Sequence, residues 1–397
     1  MTHLETTVTI IGAGVTGLAV ATELQNAGID FVLVDKGEAG MGTTCHSAGV
    51  LHSGARYALV DPELARACHN AQQSFLAVAP FSVIHRNDAF YLITDRDSQA
   101  YADRLHEACA DLELPIRYIS RSEMRDSEPQ LRVLVAGALE VPDVTIDPYL
   151  LISSYVEKIT KDQGAILMGA QLISATRKHA RWSLEVRNTL NNRTQRIASK
   201  LVLVASGPWS GNVLSRFGVA LRVKYINGCM FVLPRKFVDR IITFCQSPTS
   251  CDSLIPCYST TLLGSTWTDQ CDAEPMPPSP ADRKRASTAL AELLGLGYEQ
   301  VRHSYSGVRV VLGTDGESED LISRKTKRGS YLLDHERLNG LPNLVSVFGG
   351  KLTFHHTMAN QAAKLICQKL GVPYRHIQIA QLPIPSTVPT RNLGSLH

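Results

Sequence analysis

Three glycines carry the first chemical signal in the chain. Gly12, Gly14 and Gly17 stand in G-x-G-x-x-G spacing within VTIIGAGVTGLAVATELQNAGIDFVLVD, residues 8–35, which ends on Asp35. That spacing suits a dinucleotide. The first glycine allows a tight turn, the second lets the backbone approach a pyrophosphate, and the third lets a helix pack closely on a strand. The diphosphate would rest on the open N–H groups and positive dipole of the helix N-terminus. Asp35 is placed to accept hydrogen bonds from a ribose. The motif alone does not choose between FAD and NAD.

The elements that must hold these residues can be read around them. Residues 8–11 form an apolar run of buried-strand type, 15–26 a helical stretch closed by Gly28, and 31–34 a second buried strand with Asp35 at its tip. The Gly/Thr/Ser-rich loop 37–47 offers the hydroxyls of Thr43, Thr44 and Ser47 to a diphosphate or sugar, although a solvated loop has the same composition. Asp61, Pro62 and Glu63 mark a helix start. Further helices are predicted at 97–112, 121–129, 149–163, 281–294 and 352–370. Strands are predicted at 90–94, 165–168, 170–176, 182–187, 200–207, 301–311, 331–334 and 344–348, with an antiparallel sheet across 223–267. The strand running into Ala205-Ser206-Gly207-Pro208-Trp209-Ser210 places backbone N–H groups near a cofactor, as the opening motif does. Residues 314–329 read as a polar loop and 381–397 as a loose tail.

Nucleotide-domain pieces thus occur at the start, middle and end, with β-rich material between them. The expected fold class is α/β. The arrangement resembles that of a flavoenzyme rather than an NAD dehydrogenase: a split Rossmann-like FAD-binding domain (1–85, 145–215 and 300–380) would carry an inserted substrate (cap) domain (86–144 and 216–299) of mainly antiparallel β-sheet plus helices.

Composition is that of an ordinary globular enzyme. The chain has 397 residues, 44% hydrophobic and 19% charged, enough for a large core and two domains. A formal net charge of +3 is too small and dispersed to point to nucleic acid. No stretch approaches about eighteen unbroken apolar residues, and the first apolar run is the nucleotide strand rather than a signal peptide, so a cytoplasmic location is expected. Nine cysteines without C-x-x-C spacing suggest reduced thiols, and Cys245, Cys251, Cys257 and Cys271 match no common metal-ligand pattern, so no metal is expected.

At Val50-Leu51-His52-Ser53-Gly54-Ala55-Arg56-Tyr57 the chain resembles the FAD-dependent glycerol-3-phosphate dehydrogenases, within the D-amino-acid-oxidase-like flavoprotein superfamily. Further motifs follow in the family's order: Val141-Pro142-Asp143 with Ile146-Asp147-Pro148, the 205–210 motif, Gly264-Ser265-Thr266 and Ser306-Gly307-Val308-Arg309. Ser323-Arg324, Leu333-Asp334-His335 and Gly349-Gly350-Lys351-Leu352-Thr353 complete a resemblance that spans residues 7–372 and is most similar to the anaerobic, quinone-linked type.

The resemblance implies an extended FAD with its AMP end at Gly12, Gly14, Gly17, Asp35 and Lys36. Thr44, Ser47 and Gly49 would follow the diphosphate and flavin, Ile173 would meet the adenine half through its backbone, and Ala205 and Gly207 would lie alongside. Gly350, Lys351, Leu352 and Thr353 would bring a helix N-terminus and a full positive charge to the flavin pyrimidine as it takes a hydride. Arg309 and Arg56 would hold the substrate, because a guanidinium fork pairs bidentately with phosphate or carboxylate, and Arg324 would be a third member. His52 and Tyr57 would hydrogen-bond the substrate, with His52 the general base.

The implied reaction takes a hydroxyl proton to a base and a hydride to flavin N5, turning a small anionic secondary alcohol into a ketone. Quinone, O2 or a partner electron-transfer protein would accept the electrons. An L-2-hydroxy acid dehydrogenase, an amino-acid or amine oxidase and a non-catalytic FAD-binding subunit stay open, as does a homo-oligomer. Peripheral membrane contact would use Arg235-Lys236-Phe237 with Ile241-Ile242. The chain departs from the family pattern at Val310, usually proline, and at His355 and His356, usually Tyr and Arg; the expected cysteine-bearing C-terminal region does not follow within it.

Overall fold

The computed structural model describes residues 3–247, 249–313, 330–374 and 381–386. The segment 314–329, and Arg324 with it, lies outside the described residues.

Apolar β-branched runs make the first sheet. His3–Ile11 pairs in parallel with Phe31–Val34 on one side and with Thr194–Val204 on the other, and Leu344–Gly349 adds in parallel beyond Thr194–Val204. Ala165–Leu167 extends the other edge in parallel. Alternate residues of these strands go to opposite faces, as a pleat requires. Ile10, Leu33, Leu203 and Val345 pack with the helices Val15–Asn26, Pro148–Lys161 and His355–Leu370. Ile11, Val34, Val202 and Val204 pack instead with Trp182, Leu184 and Phe217, on and beside the antiparallel strands Ala170–Lys178 and Arg181–Asn188. Both faces are covered, which is why the strands read as unbroken apolar runs.

The second sheet is mainly antiparallel and has nine strands among the described residues. Its spine is Val223–Val232 against His303–Leu312, paired along their whole lengths. Ala89–Ile93 joins it through Ile242–Phe244 in parallel, and the helix Pro280–Leu294 packs on one face through Leu290 and Leu293. A small sheet of Val50–Leu51, Val144–Ile146 and Val83–His85 lies where the chain passes between the two large ones.

Three expectations are corrected. His303–Leu312, allotted above to the FAD-binding part, is a strand of the second sheet, because Val308 and Val310 complete its buried surface. Residues 381–386 are packed rather than loose: Leu382 is 2% exposed in the first core, and its N–H donates to Val78 O at 2.9 Å. In the suggested membrane patch, Phe237, Ile241 and Ile242 are buried in apolar clusters and do not form an apolar surface with Arg235 and Lys236. No described helix is long and apolar enough to cross a membrane. Cys251 sits in one apolar cluster, Cys245 and Cys257 in another, and Cys271 is exposed.

Candidate active site

A cavity of about 980 Å³ opens between the two sheets, with the glycine loop and Asp35 on one wall and Trp267 and Arg309 on the other. The glycines of the loop differ in what demands them. Gly12 has φ 116°, and a Cβ there would fall 2.5 Å from Ala205 O; at Gly17 it would fall 2.0 Å from Gly12 O. Those two are fixed by the protein's own backbone. Gly14 is different: its φ is −71° and a Cβ would meet only Thr44 Oγ1, at an ordinary 3.5 Å. No described neighbour requires glycine at 14, which lines the cavity, so the space it leaves suits a group lying against the backbone.

Asp35 Oδ2 accepts from Ala13 N at 2.7 Å and Oδ1 from Gly37 N at 2.9 Å, so the acid braces the loop it follows. An ionised carboxylate offers about four acceptor positions, so ribose hydroxyls can share it. Thr44 Oγ1 accepts from Val15 N at 3.2 Å, and Ser47 Oγ donates to Thr44 O at 2.9 Å; both residues line the cavity. Lys36 also lines it, with Nζ 3.3 Å from Glu274 Oε1 and 4.0 Å from the Trp209 ring centre. Trp209 Nε1 donates to the same Glu274 oxygen at 2.5 Å, so a loop from the second sheet closes over this rim. Ala205 and Gly207 line the cavity.

Three expected cofactor residues stand off the cavity wall. Ile173 falls where the pairing register shifts between Leu172 and Ser174, and Ala170, Gln171 and Leu172 line the wall instead. Gly49 packs on the small sheet, where a Cβ would lie 2.5 Å from Ile146 O. Thr353 is 1% exposed and turned inward, its Oγ1 without a hydrogen-bond partner among the described residues.

Gly350, Lys351 and Leu352 do line the cavity. The helix expected from 352 starts instead as a 3-10 turn, Leu352–Phe354, and becomes α-helical at His355. His355 Nδ1 lies 2.9 Å from Leu352 O and its Nε2 2.9 Å from Tyr155 OH, and burial is the chief cause that pushes its pKa down to about 3. His356 Nε2 lies 3.7 Å from Glu23 Oε1, and neither histidine lines the cavity.

Lys351 Nζ lies 4.3 Å from the Tyr57 ring centre, and the Tyr57 and His52 rings meet edge-on at 5.8 Å. His52 and Tyr57 thus stand beside Lys351, next to the lining residues, and the His52 side chain is 24% exposed and so open to a proton. His52 Nδ1 is 2.9 Å from Asp143 Oδ2, and the buried Asp143 also accepts from Ser53 and Tyr91. Burial raises the Asp143 pKa, but His52 and the Ser53 donors outweigh it and hold the group below the usual carboxylate value.

The two arginines expected together are separated. Arg56 does not line the cavity: its Nη2 donates to Asp252 Oδ2 at 2.9 Å, and both side chains are buried or nearly so. It ties the 3-10 turn Ala55–Tyr57 to the second sheet. In this structure Arg56 is held in a buried ion pair, and the same Asp252 oxygen accepts from the N–H of Thr249, which does line the cavity. Arg309 does line the cavity, with Nη2 2.6 Å from Ser265 Oγ and 3.4 Å from Thr266 O, and its guanidinium carbon 5.6 Å from the Trp267 ring centre.

Sequence reasoning gave no role to Asp143, Ser265, Trp267, Glu274 or Gly228. Asp143 and Ser265 lay inside motifs already recognised, and Gly228 carried a signal of its own, since glycine within a strand marks a close approach.

The room at Gly14, the helix N-terminus behind it and a cavity of this size lined from Asp35 to Lys351 all fit FAD. Residues 7–365 match the family described as FAD dependent oxidoreductase (DAO). Over 387 residues the chain is 28% identical to an anaerobic glycerol-3-phosphate dehydrogenase subunit of Escherichia coli K12, covering 96% of this chain and 70% of that protein. It is 24% identical to D-erythritol 1-phosphate dehydrogenase of Brucella abortus, covering 92% of this chain and 75% of that one. The FAD-complexed glycerol-3-phosphate dehydrogenase of Bacillus halodurans has the same fold, with a TM-score of 0.73 at 20% identity over 95% of this chain and 67% of that chain. The family match runs from the first strand into the last helix and takes in both walls of the cavity, so the chain belongs to the FAD-dependent oxidoreductases.

Proposed function

We propose that the protein oxidises a small phosphorylated secondary alcohol, glycerol 3-phosphate foremost, to the corresponding ketone. The observation that carries this reading is Arg309, a guanidinium fixed in the wall of the cavity by Ser265 and Thr266. A planar cation in that position suits a phosphate, which it can grip through two parallel N–H bonds. Both sequence relatives named above are dehydrogenases of phosphorylated polyols.

Gly14, the first turn of Val15–Asn26, Asp35, Thr44 and Ser47 would hold the AMP and diphosphate parts of FAD, and Gly350, Lys351 and Leu352 its ring end. Bound FAD supplies the acceptor for the hydride that leaves the substrate carbon. Arg309 orients the anion. His52 takes the hydroxyl proton, and Lys351, beside Tyr57, contributes positive charge where negative charge develops. In this reading the first-sheet layer serves FAD and the second sheet serves the substrate. Quinone, O2 or a partner electron-transfer protein then reoxidises the cofactor.

Anaerobic mixing of the FAD-loaded protein with glycerol 3-phosphate, L-2-hydroxyglutarate and a panel of amino acids tests the assignment. Bleaching of the flavin by glycerol 3-phosphate is the expected result. Bleaching by an amino acid alone would overturn it, and rapid peroxide formation in air would identify O2 as the acceptor.

A further inference from the structure

We infer that Asp143 is the positioning residue of the proton acceptor: its carboxylate keeps the proton of neutral His52 on Nδ1 and leaves Nε2 as the basic atom. This rests on the reading of His52 as the group that takes the hydroxyl proton.

Four donors converge on Asp143, which is 1% exposed. Oδ1 accepts from Ser53 N at 2.5 Å and from Ser53 Oγ at 2.7 Å. Oδ2 faces His52 Nδ1 at 2.9 Å and accepts from Tyr91 OH at 3.1 Å. A buried carboxylate with this many donors is ionised and can only accept, so the Nδ1 that faces it must carry the proton. The neutral imidazole then has one lone pair for chemistry, on Nε2. The negative charge also stabilises the imidazolium once a proton has arrived.

The anchoring crosses the molecule. Asp143 follows the strand Gly137–Val141 of the second sheet, Tyr91 lies on the neighbouring strand Ala89–Ile93, and His52 follows Val50–Leu51 of the small sheet. The base is thereby referred to the second sheet, which also carries Arg309. The ionisable groups around His52 are Asp143, Tyr57 at its ring edge, Tyr91 behind Asp143, Arg56 facing both tyrosines, Lys351 across the Tyr57 ring, and Cys68 facing Asp143 and Lys351. Of these, Asp143 is hydrogen-bonded to a ring nitrogen of His52, Nδ1.

Asparagine at 143 would keep its oxygen on Ser53 N–H and turn its NH2 group toward His52 Nδ1. The amide would then donate to Nδ1 and drive the imidazole proton to Nε2, which removes the base without removing the residue. In 15N NMR of the FAD-loaded protein, with the His52 signals identified by their loss in His52→Gln, the expected form is Nδ1–H with a bare Nε2. Asp143→Asn should show Nε2–H. It should also lower kcat/KM for glycerol 3-phosphate by about 100-fold or more and move the acidic limb of its pH profile to lower pH. Tyr91→Phe removes one donor from the same oxygen, concentrates its charge on His52, and should move that limb to higher pH by less than about one unit. A residue that merely stabilised the fold would not give limb shifts of opposite sign.

Nε2–H in the unaltered protein overturns the inference, as does an acidic limb that neither variant moves. If Asp143→Asn does not fold, the resting tautomer and the Tyr91→Phe profile still decide. If His52→Gln leaves turnover of glycerol 3-phosphate unchanged, the reading of His52 as the base fails, whereas the tautomer measured by NMR tests Asp143 separately.

Discussion

A Cβ built on Gly228 falls 2.5 Å from Arg309 Nη2, so the guanidinium occupies the space that a side chain at 228 would need. The register explains the meeting. Gly228 pairs with Gly307 and Arg309 with Ile226, which makes Gly228 and Arg309 diagonal neighbours on one face of the sheet. Gly228→Ala is expected to fold, because the closest atom it displaces is the end of a flexible side chain and the nearest backbone atom, Thr266 O at 3.2 Å, need give way by only a few tenths of an ångström. Steady-state kinetics should show KM for glycerol 3-phosphate raised about tenfold with a smaller change in kcat, the equivalent of ~1.4 kcal/mol of lost anion binding. An unchanged KM would detach Arg309 from the substrate.

Gly14 and Gly17 should fail in different ways. Gly17→Ala forces a Cβ to within 2.0 Å of Gly12 O, and the FAD-free protein should lose ~3 kcal/mol or more of stability. Gly14→Ala meets nothing closer than 3.5 Å, so the FAD-free melting temperature should barely move while FAD affinity falls about tenfold. Thermal melts without cofactor and a fluorescence titration with it separate the two. Equal affinity for FAD in Gly14→Ala would mean that the diphosphate lies elsewhere.

The Arg56–Asp252 pair at 2.9 Å predicts a stability effect rather than a binding effect. Arg56→Ala leaves the buried Asp252 carboxylate without its cation, though still accepting from Thr249 and Ser253, which should cost about 3 kcal/mol in urea unfolding. The double change Arg56→Met with Asp252→Leu should recover much of that loss, since it removes both charges. A large rise in KM at unaltered stability would return Arg56 to the substrate site.

His355 makes the fold sensitive to acid. Burial pushes its pKa down to about 3, below the ordinary 6.5 of the unfolded chain, so the unfolded state takes up a proton first as the pH falls. The stability it contributes is whole above pH 6.5 and is lost toward pH 3, at up to ~1.4 kcal/mol per pH unit. His355→Gln should therefore flatten the decline of the urea midpoint between about pH 6.5 and 4. Parallel declines in the two proteins would show that the buried ring accepts a proton.

The elements governed by nearby residues are legible in the amino-acid order itself. The helix at 15–26 and the strand at 31–34 fall where apolar runs and Gly28 put them, and Asp61 with Pro62 starts the helix Pro62–Val78. A turn, a cap or a helical stripe is decided within a few residues, so its signal survives in one dimension. The packing of residues 381–386 was not legible, because Leu382 is buried by contacts with a helix some three hundred residues earlier.

Residue type and spacing alone established a dinucleotide loop, an α/β chain built of interleaved pieces, and a short set of side chains able to bind an anion or take a proton. They could not rank Arg56 against Arg309. Both are arginines in matched motifs, yet one is consumed by Asp252 and the other reaches the cavity past Gly228. Nor could they give Asp143 its part, which depends on Ser53, His52 and Tyr91 arriving at one carboxylate from separate elements. Coulombic and hydrogen-bond partners are chosen at a few ångströms in space, and strand register, which no local run of residues encodes, decides who those partners are.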